Sequence, residues 1–150
     1  MNRSLGMNNR MLGVSLLELL VAVAIVGILG SIAYPSYVRY VVRANRAVAK
    51  TVLVQVADRQ EQYFADNKRY ANDLTQLGYQ SNGFMVDDGG ATVAAGDPNR
   101  IYQITLSNLS AVTFTASAAP QQAQASRDTE CQTLTLTHTG ARGGASANCW

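Results

Sequence analysis

The chain has 150 residues, one domain's worth, with 12 Lys and Arg against 10 Asp and Glu. Arg3 and Arg10 carry the whole excess of +2, so from Val14 onward ten basic residues face ten acidic ones and the charge says little about partners. One His (His138) and two Cys (Cys131 and Cys149) leave no second histidine or spare thiol for a zinc set or a catalytic triad, and no enzymatic constellation emerges.

The chain opens on "MNRSLGMNNRMLG", short, polar and carrying two arginines, and passes at once into "VSLLELLVAVAIVGILGSIAY". Val14 to Tyr34 makes 21 residues whose only charge is Glu18. As a helix at ~1.5 Å per residue it would be ~31 Å long, matching the ~30 Å hydrocarbon core of a bilayer. Three readings fit: a cleaved secretory signal with Ser31 and Ala33 before the cut, an ordinary anchor, or a segment that first sits in lipid and later packs on copies of itself. Ser15-Leu16-Leu17-Glu18 also fits an S-x-x-E capping box, which accounts for part of Glu18. It does not explain a carboxylate inside a membrane-length run, where an acidic residue costs ~2.5–3.5 kcal/mol at the centre and less near an interface. Gly27, Gly30 and Pro35 leave a weak stretch in the same run, since Pro35 lacks an amide donor and clashes one turn back. A tolerated kink is the plainer alternative.

The leader discriminates. A basic leader ending in Gly13, an apolar run starting immediately after it, and Glu18 five residues beyond that Gly resemble the precursors of type IV pilins and their relatives. Gly27 and Pro35 fall where that family places a helix-loosening Gly and Pro; Val14 stands where it usually has Phe. The motif covers residues 10 to about 37. The resemblance implies a prepilin leader (1–13) removed by a prepilin peptidase after Gly13 and N-methylation of the Val14 amine. It also implies pairing of that amine with Glu18 of the neighbouring subunit. Arginines flank the run on both sides, so the positive-inside rule does not orient it. The resemblance does: N-terminus cytoplasmic, bulk periplasmic.

Beyond the run, Val38, Val41, Val42, Val48, Val52, Leu53, Val56 and Tyr63 recur at helical spacing and form one apolar face. Arg39, Arg43 and Arg46 occupy a different stripe, most simply a solvated face, though within reach of lipid headgroups or an acidic neighbour. The expected helix, 14–35 spanning the membrane and 36–66 amphipathic, would run ~78 Å and require partners. Residues 67–100 look like a connecting loop pinned by Tyr70, Leu74 and Leu77; Asp87, Asp88 and Asp97 lack the D-x-D-x-D-G spacing of a calcium loop, and no metal or cofactor is expected.

Strand-like alternations follow in "IYQITLS" (Tyr102, Ile104, Leu106), "AVTFTAS" (Val112, Phe114) and "CQTLTLTHT" (Leu134, Leu136), with Asn108-Leu109-Ser110 as a turn. The tail "GARGGASANCW" is too Gly-rich to pack by itself. An even, closely spaced Cys pair behind an export-like N-terminus suggests one disulfide in an oxidising compartment, with two unpaired thiols as the alternative. The resemblance favours the bond, since pilins close a C-terminal loop this way. The short loop, "YANDLTQLGY" and the terminal Cys-Trp look most like PilE-type minor pilins.

The expected fold is α+β: a long N-terminal helix on a small antiparallel sheet of three or four strands in 67–150, with a disulfide-closed C-terminal loop. The expected function is that of a type IV pilus minor pilin, which helps start or join the filament and supports motility, attachment or DNA uptake. Its partners would be other pilins, the prepilin peptidase and the inner-membrane assembly platform. It would sit in the inner membrane first and in the extracellular pilus afterwards. A major pilin and a secretion-system pseudopilin are the alternatives within the class; a surface- or DNA-binding adhesin is the alternative outside it. Residues 67–150 carry only Lys68, Arg69, Arg100, Arg127 and Arg142, too few to recommend direct nucleic-acid binding.

Overall fold

A computed structural model describes residues 15–150. The leader, Gly13 and Val14 lie outside the described residues. The chain divides into a unit ending at Tyr37 and a unit Val38–Trp150.

Helix α1 runs Leu16–Asn67 and passes through Pro35 without interruption. Its start follows Ser15, whose carbonyl accepts the Leu19 amide at 3.1 Å. In the first unit every described residue is exposed. From Val38 onward α1 becomes amphipathic in fact: Val42 is buried, and Ala49, Val52, Leu53 and Val56 are buried in a core with Tyr102, Ile104, Phe114, Leu134 and Leu136. Of the sequence-derived apolar face, Val38, Val41, Val48 and Tyr63 are half-buried and the remainder buried.

Six strands form one antiparallel sheet in the order β2-β1-β3-β4-β5-β6: β1 Phe84–Val86, β2 Thr92–Val93, β3 Tyr102–Ser107, β4 Thr115–Pro120, β5 Leu134–Thr137 and β6 Arg142–Gly143. Strand β3 has the expected alternation in its first half, with Tyr102 and Ile104 buried and Gln103 between them half-buried; Leu106 is half-buried. Two expectations need correction. The second strand starts later than "AVTFTAS" suggests: Val112 is exposed, Phe114 is buried just before the strand, and the inward positions are Ala116 and Ala118. Alanine has low strand propensity, so "TASAAP" carries no strand signal of its own; pairing with β3 from Ser107↔Thr115 to Tyr102↔Pro120 makes it one. Pro120 closes the strand at its end, where a missing donor is tolerated.

The second correction concerns the loop and the tail. Residues 67–100 contain β1 and β2 as well as the 3₁₀ turn Leu74–Leu77, in which Asp73 accepts the Thr75 amide at 2.7 Å. The Gly-rich tail supplies β6 and a turn at Ala147–Cys149. Helix α2, Gln122–Arg127, links β4 to β5 and had no periodic signal.

Cys131 and Cys149 are bonded, with Cα atoms 5.4 Å apart and a sequence separation of 18. Gly144 lies inside that loop, and a Cβ there would stand 2.9 Å from the Cβ of Cys149. The glycine is what lets the loop fold onto its own disulfide. Trp150 Nε1 donates to the Gly143 carbonyl at 2.8 Å, holding the end of the chain against β6. Replacing either cysteine by Ser should cost roughly 3 kcal/mol through the freed loop and should open residues 132–148 to protease. The check is a thermal melt with limited proteolysis under non-reducing conditions; an unchanged melt would show that β6 and Trp150 hold the tail alone.

Candidate functional site

The most unusual surface of the molecule is α1 from Leu16 to Tyr37. Leu16, Val23 and Ile32 are 77%, 69% and 69% exposed, and their large apolar neighbours are similarly bare. Surface of this extent is not left to water; it marks contact with lipid or with other chains. The segment also meets the length and composition of a membrane span.

Glu18 is the one charged residue from Leu16 to Tyr37. It lies in the first turn of α1, where the helix dipole and free amides favour a carboxylate. No cation among the described residues lies within ion-pair distance of it. A Cβ added at Gly27 or Gly30 would meet nothing within 4 Å, so no packing within the chain requires glycine at either position. Pro35 is accommodated in a continuous helix, and Ser31, one turn back, turns its hydroxyl to the Ile28 carbonyl at 2.7 Å.

The second feature is a buried polar network that fastens α1 to α2 and the disulfide loop. Arg46 was expected on a solvated stripe with Arg39 and Arg43; only those two are exposed. Arg46 is buried, with Nε donating to Asp128 Oδ2 at 2.9 Å, Nη2 to Asp128 Oδ1 at 2.7 Å and Nη2 to Glu130 at 3.2 Å. Asp128 also accepts the Cys131 amide at 3.1 Å and Gln124 Nε2 at 3.1 Å. Gln124 in turn accepts from Asn45 Nδ2 at 3.0 Å and donates to the Tyr102 hydroxyl at 3.0 Å.

The sequence missed this network, although a signal existed. Val42, Arg46, Ala49, Leu53, Val56 and Gln60 recur at steps of three and four, so Arg46 stands in the register of the buried face. Burial by itself would push the Asp128 carboxyl up; the bond from Arg46 and the Cys131 amide overcome it and hold the group below its ordinary range. Burial also pushes Tyr102 up to about 12, so its hydroxyl stays protonated and able to donate toward Asp128.

The remaining candidates have structural employment. Asp87 accepts the Gly89 and Ala91 amides at 3.0 and 2.8 Å, and Asp97 accepts the Asn99 amide at 2.7 Å, each closing its own turn. Among the described residues no cluster of three metal-ligating side chains is present. The His138 ring lies 6.4 Å from that of Phe114, at the end of β5. Lys68 donates to the Ala65 carbonyl at 2.8 Å, and Arg142 lies over Trp150 at 5.3 Å.

Residues 35–135 match the family model described as type IV minor pilin ComP, DNA uptake sequence receptor, and residues 8–34 match the prokaryotic N-terminal methylation motif. The type IV major pilin protein PilA of Myxococcus xanthus (strain DK1622) is 35% identical over 72 residues, 48% of this chain and 33% of that protein. The chain thus spans a third of the length of this curated relative. A type IV pilin from Shewanella oneidensis is structurally similar at 22% identity and TM-score 0.49, covering 73% of this chain and 97% of that one. The Neisseria meningitidis non-core minor pilin PilV is similar at 21% identity and TM-score 0.49, over 73% and 91%.

Proposed function

Because this chain belongs to the ComP family of type IV minor pilins, we propose that it is a structural subunit that helps initiate or join a type IV pilus. It resides in the inner membrane through α1 before assembly and in the extracellular filament after it. The observation that carries this is the bare apolar length of α1 with one carboxylate in its first turn. A soluble protein has no use for that surface, and a permanent anchor has no use for Glu18. In this reading the prepilin peptidase cuts after Gly13, Val14 is N-methylated, and the new amine meets Glu18 of a neighbouring pilin. Gly27, Gly30 and Pro35 ease the passage of the helix from lipid into protein, since extending the backbone there costs little.

The test is the mature N-terminus together with co-purification. Mass spectrometry of the membrane-extracted chain should show a start at Val14 bearing one methyl group, and the chain should accompany sheared pili. A start near Tyr34 would instead establish an ordinary secretory signal.

A second reading, reception of DNA during uptake, comes from the family's description. The few basic side chains of residues 67–150 weigh against it, and several of them are already engaged. Salt-dependent retention of a short duplex by the full chain in detergent would support it. Its absence at about 0.15 M salt would leave the subunit purely structural.

A further inference from the structure

Within the unit Val38–Trp150 a groove of about 590 Å³ is lined by Val38, Arg39, Val42, Arg43, Arg46, Arg127, Thr129 and Glu130. Arg46 is consumed by Asp128 and Glu130, whereas Arg39, Arg43 and Arg127 are exposed and form no ion pair among the described residues. Arg43 Nε donates to the Arg39 carbonyl at 3.4 Å, which leaves its terminal nitrogens free. Arg127 comes from the last turn of α2, so a third guanidinium joins two from α1 only through the fold.

We propose that this groove holds the phosphate of an anionic phospholipid headgroup while the subunit resides in the membrane. Guanidinium forks match phosphate oxygens with paired, charge-assisted hydrogen bonds. Sequence position chooses the lipid over other phosphates: Arg39 follows the exposed apolar run by two residues. Tyr34, Tyr37 and Tyr40, at 67%, 66% and 68% exposure, form the aromatic belt typical of a membrane–water boundary. Val38 and Val42 line the groove beside the arginines, suited to the glycerol and upper acyl carbons. Glu130, also in the lining, accepts from Arg46 at 3.2 Å, so its carboxylate is already paired with a guanidinium. A charge-based hold of this kind would keep the subunit at a defined depth and would have to be given up on entering the filament.

The inference rests on membrane residence, which fractionation of the cell reports separately. The full chain, extracted in mild detergent with equal phosphatidylglycerol and phosphatidylcholine of matched acyl chains, is examined by native mass spectrometry. Phosphatidylglycerol should be retained about tenfold over phosphatidylcholine, because both offer a phosphate but the choline ammonium of the second is repelled by the unpaired arginines. R127Q should lower that ratio several-fold and R39Q/R43Q/R127Q should abolish it, with unchanged melting and unchanged membrane abundance. Equal retention of the two lipids by the parent chain would overturn the proposal. So would an unaltered ratio in R127Q, which would leave only a basic stripe on α1. Displacement by millimolar glycerophosphate would reassign the groove to soluble phosphoesters, and displacement by a short DNA duplex at about 0.15 M salt would reassign it to nucleic acid.

Discussion

Glu18→Gln is expected to reach the membrane in normal amount and then fail to enter a filament. If Glu18 acted only as the third residue of a capping box, Gln would serve almost as well, because it too can accept the amide at the helix start. If its charge meets the amine of a neighbouring subunit, the substitution strands an ammonium in apolar surroundings. Leaving one half of a buried charge pair uncompensated costs ~3–5 kcal/mol, a factor above a hundred in the equilibrium for docking. Insertion does not suffer, since removing a charge makes the segment more apolar. Two measurements are needed, membrane-fraction abundance and co-purification with sheared pili or other pilins. Normal insertion with lost co-assembly supports the pairing; normal co-assembly would return Glu18 to the role of a cap.

The second large effect is expected at Asp128. Its carboxylate is fully enclosed and holds Arg46 by two bonds, while Gln124 and the Cys131 amide depend on the same oxygens. Asp128→Ala leaves a buried guanidinium with only the more exposed Glu130, and it frees the residues that precede the disulfide. A loss of ~3–5 kcal/mol is expected, much of the stability of a domain of this size. Replacing both partners, as Arg46→Met with Asp128→Leu, should recover only the part due to the stranded guanidinium, because the Cys131 amide and Gln124 still lose their acceptor.

The same group predicts an acid response. The folded Asp128 pKa is lowered. Its contribution is therefore complete above the unfolded carboxyl value of ~3.9 and is lost as pH falls from there through the folded value. Thermal melts of the full chain in detergent at neutral pH and near pH 3 measure this. The Asp128→Asn variant should lack that part of the acid loss; an identical acid slope in the variant would place the sensitivity elsewhere.

The division between what was legible in the chain and what was not follows the range of the forces involved. Membrane-length apolarity, the lone Glu18, the glycines and Pro35 are local patterns, and so is the 3.6-residue recurrence of Val42, Val52, Leu53 and Val56. Each can be read from neighbours along the chain because each acts through neighbours or through solvent. β3 and β5 were readable for the same reason, as their own side chains alternate.

Strands β1, β2 and β6 have two or three residues each, too few to alternate, and exist because longer strands offer them an edge. β4, built of Ala, Ser and Thr up to its closing Pro120, is a strand because β3 and β5 flank it. Arg46 looked like surface because an arginine is costly to bury, and the partner that makes its burial tolerable lies 82 residues later. Arg127 likewise means nothing beside its own neighbours and completes a cluster of guanidinium groups only once α2 is laid against α1. The sequence by itself determined that α1 carries a membrane-length apolar run followed by a single apolar face, because the hydrophobic pattern of a helix depends on composition and period alone. Only the tertiary structure decided which charges are buried and which remain available, because an ion pair is a contact between distant residues that no local pattern encodes.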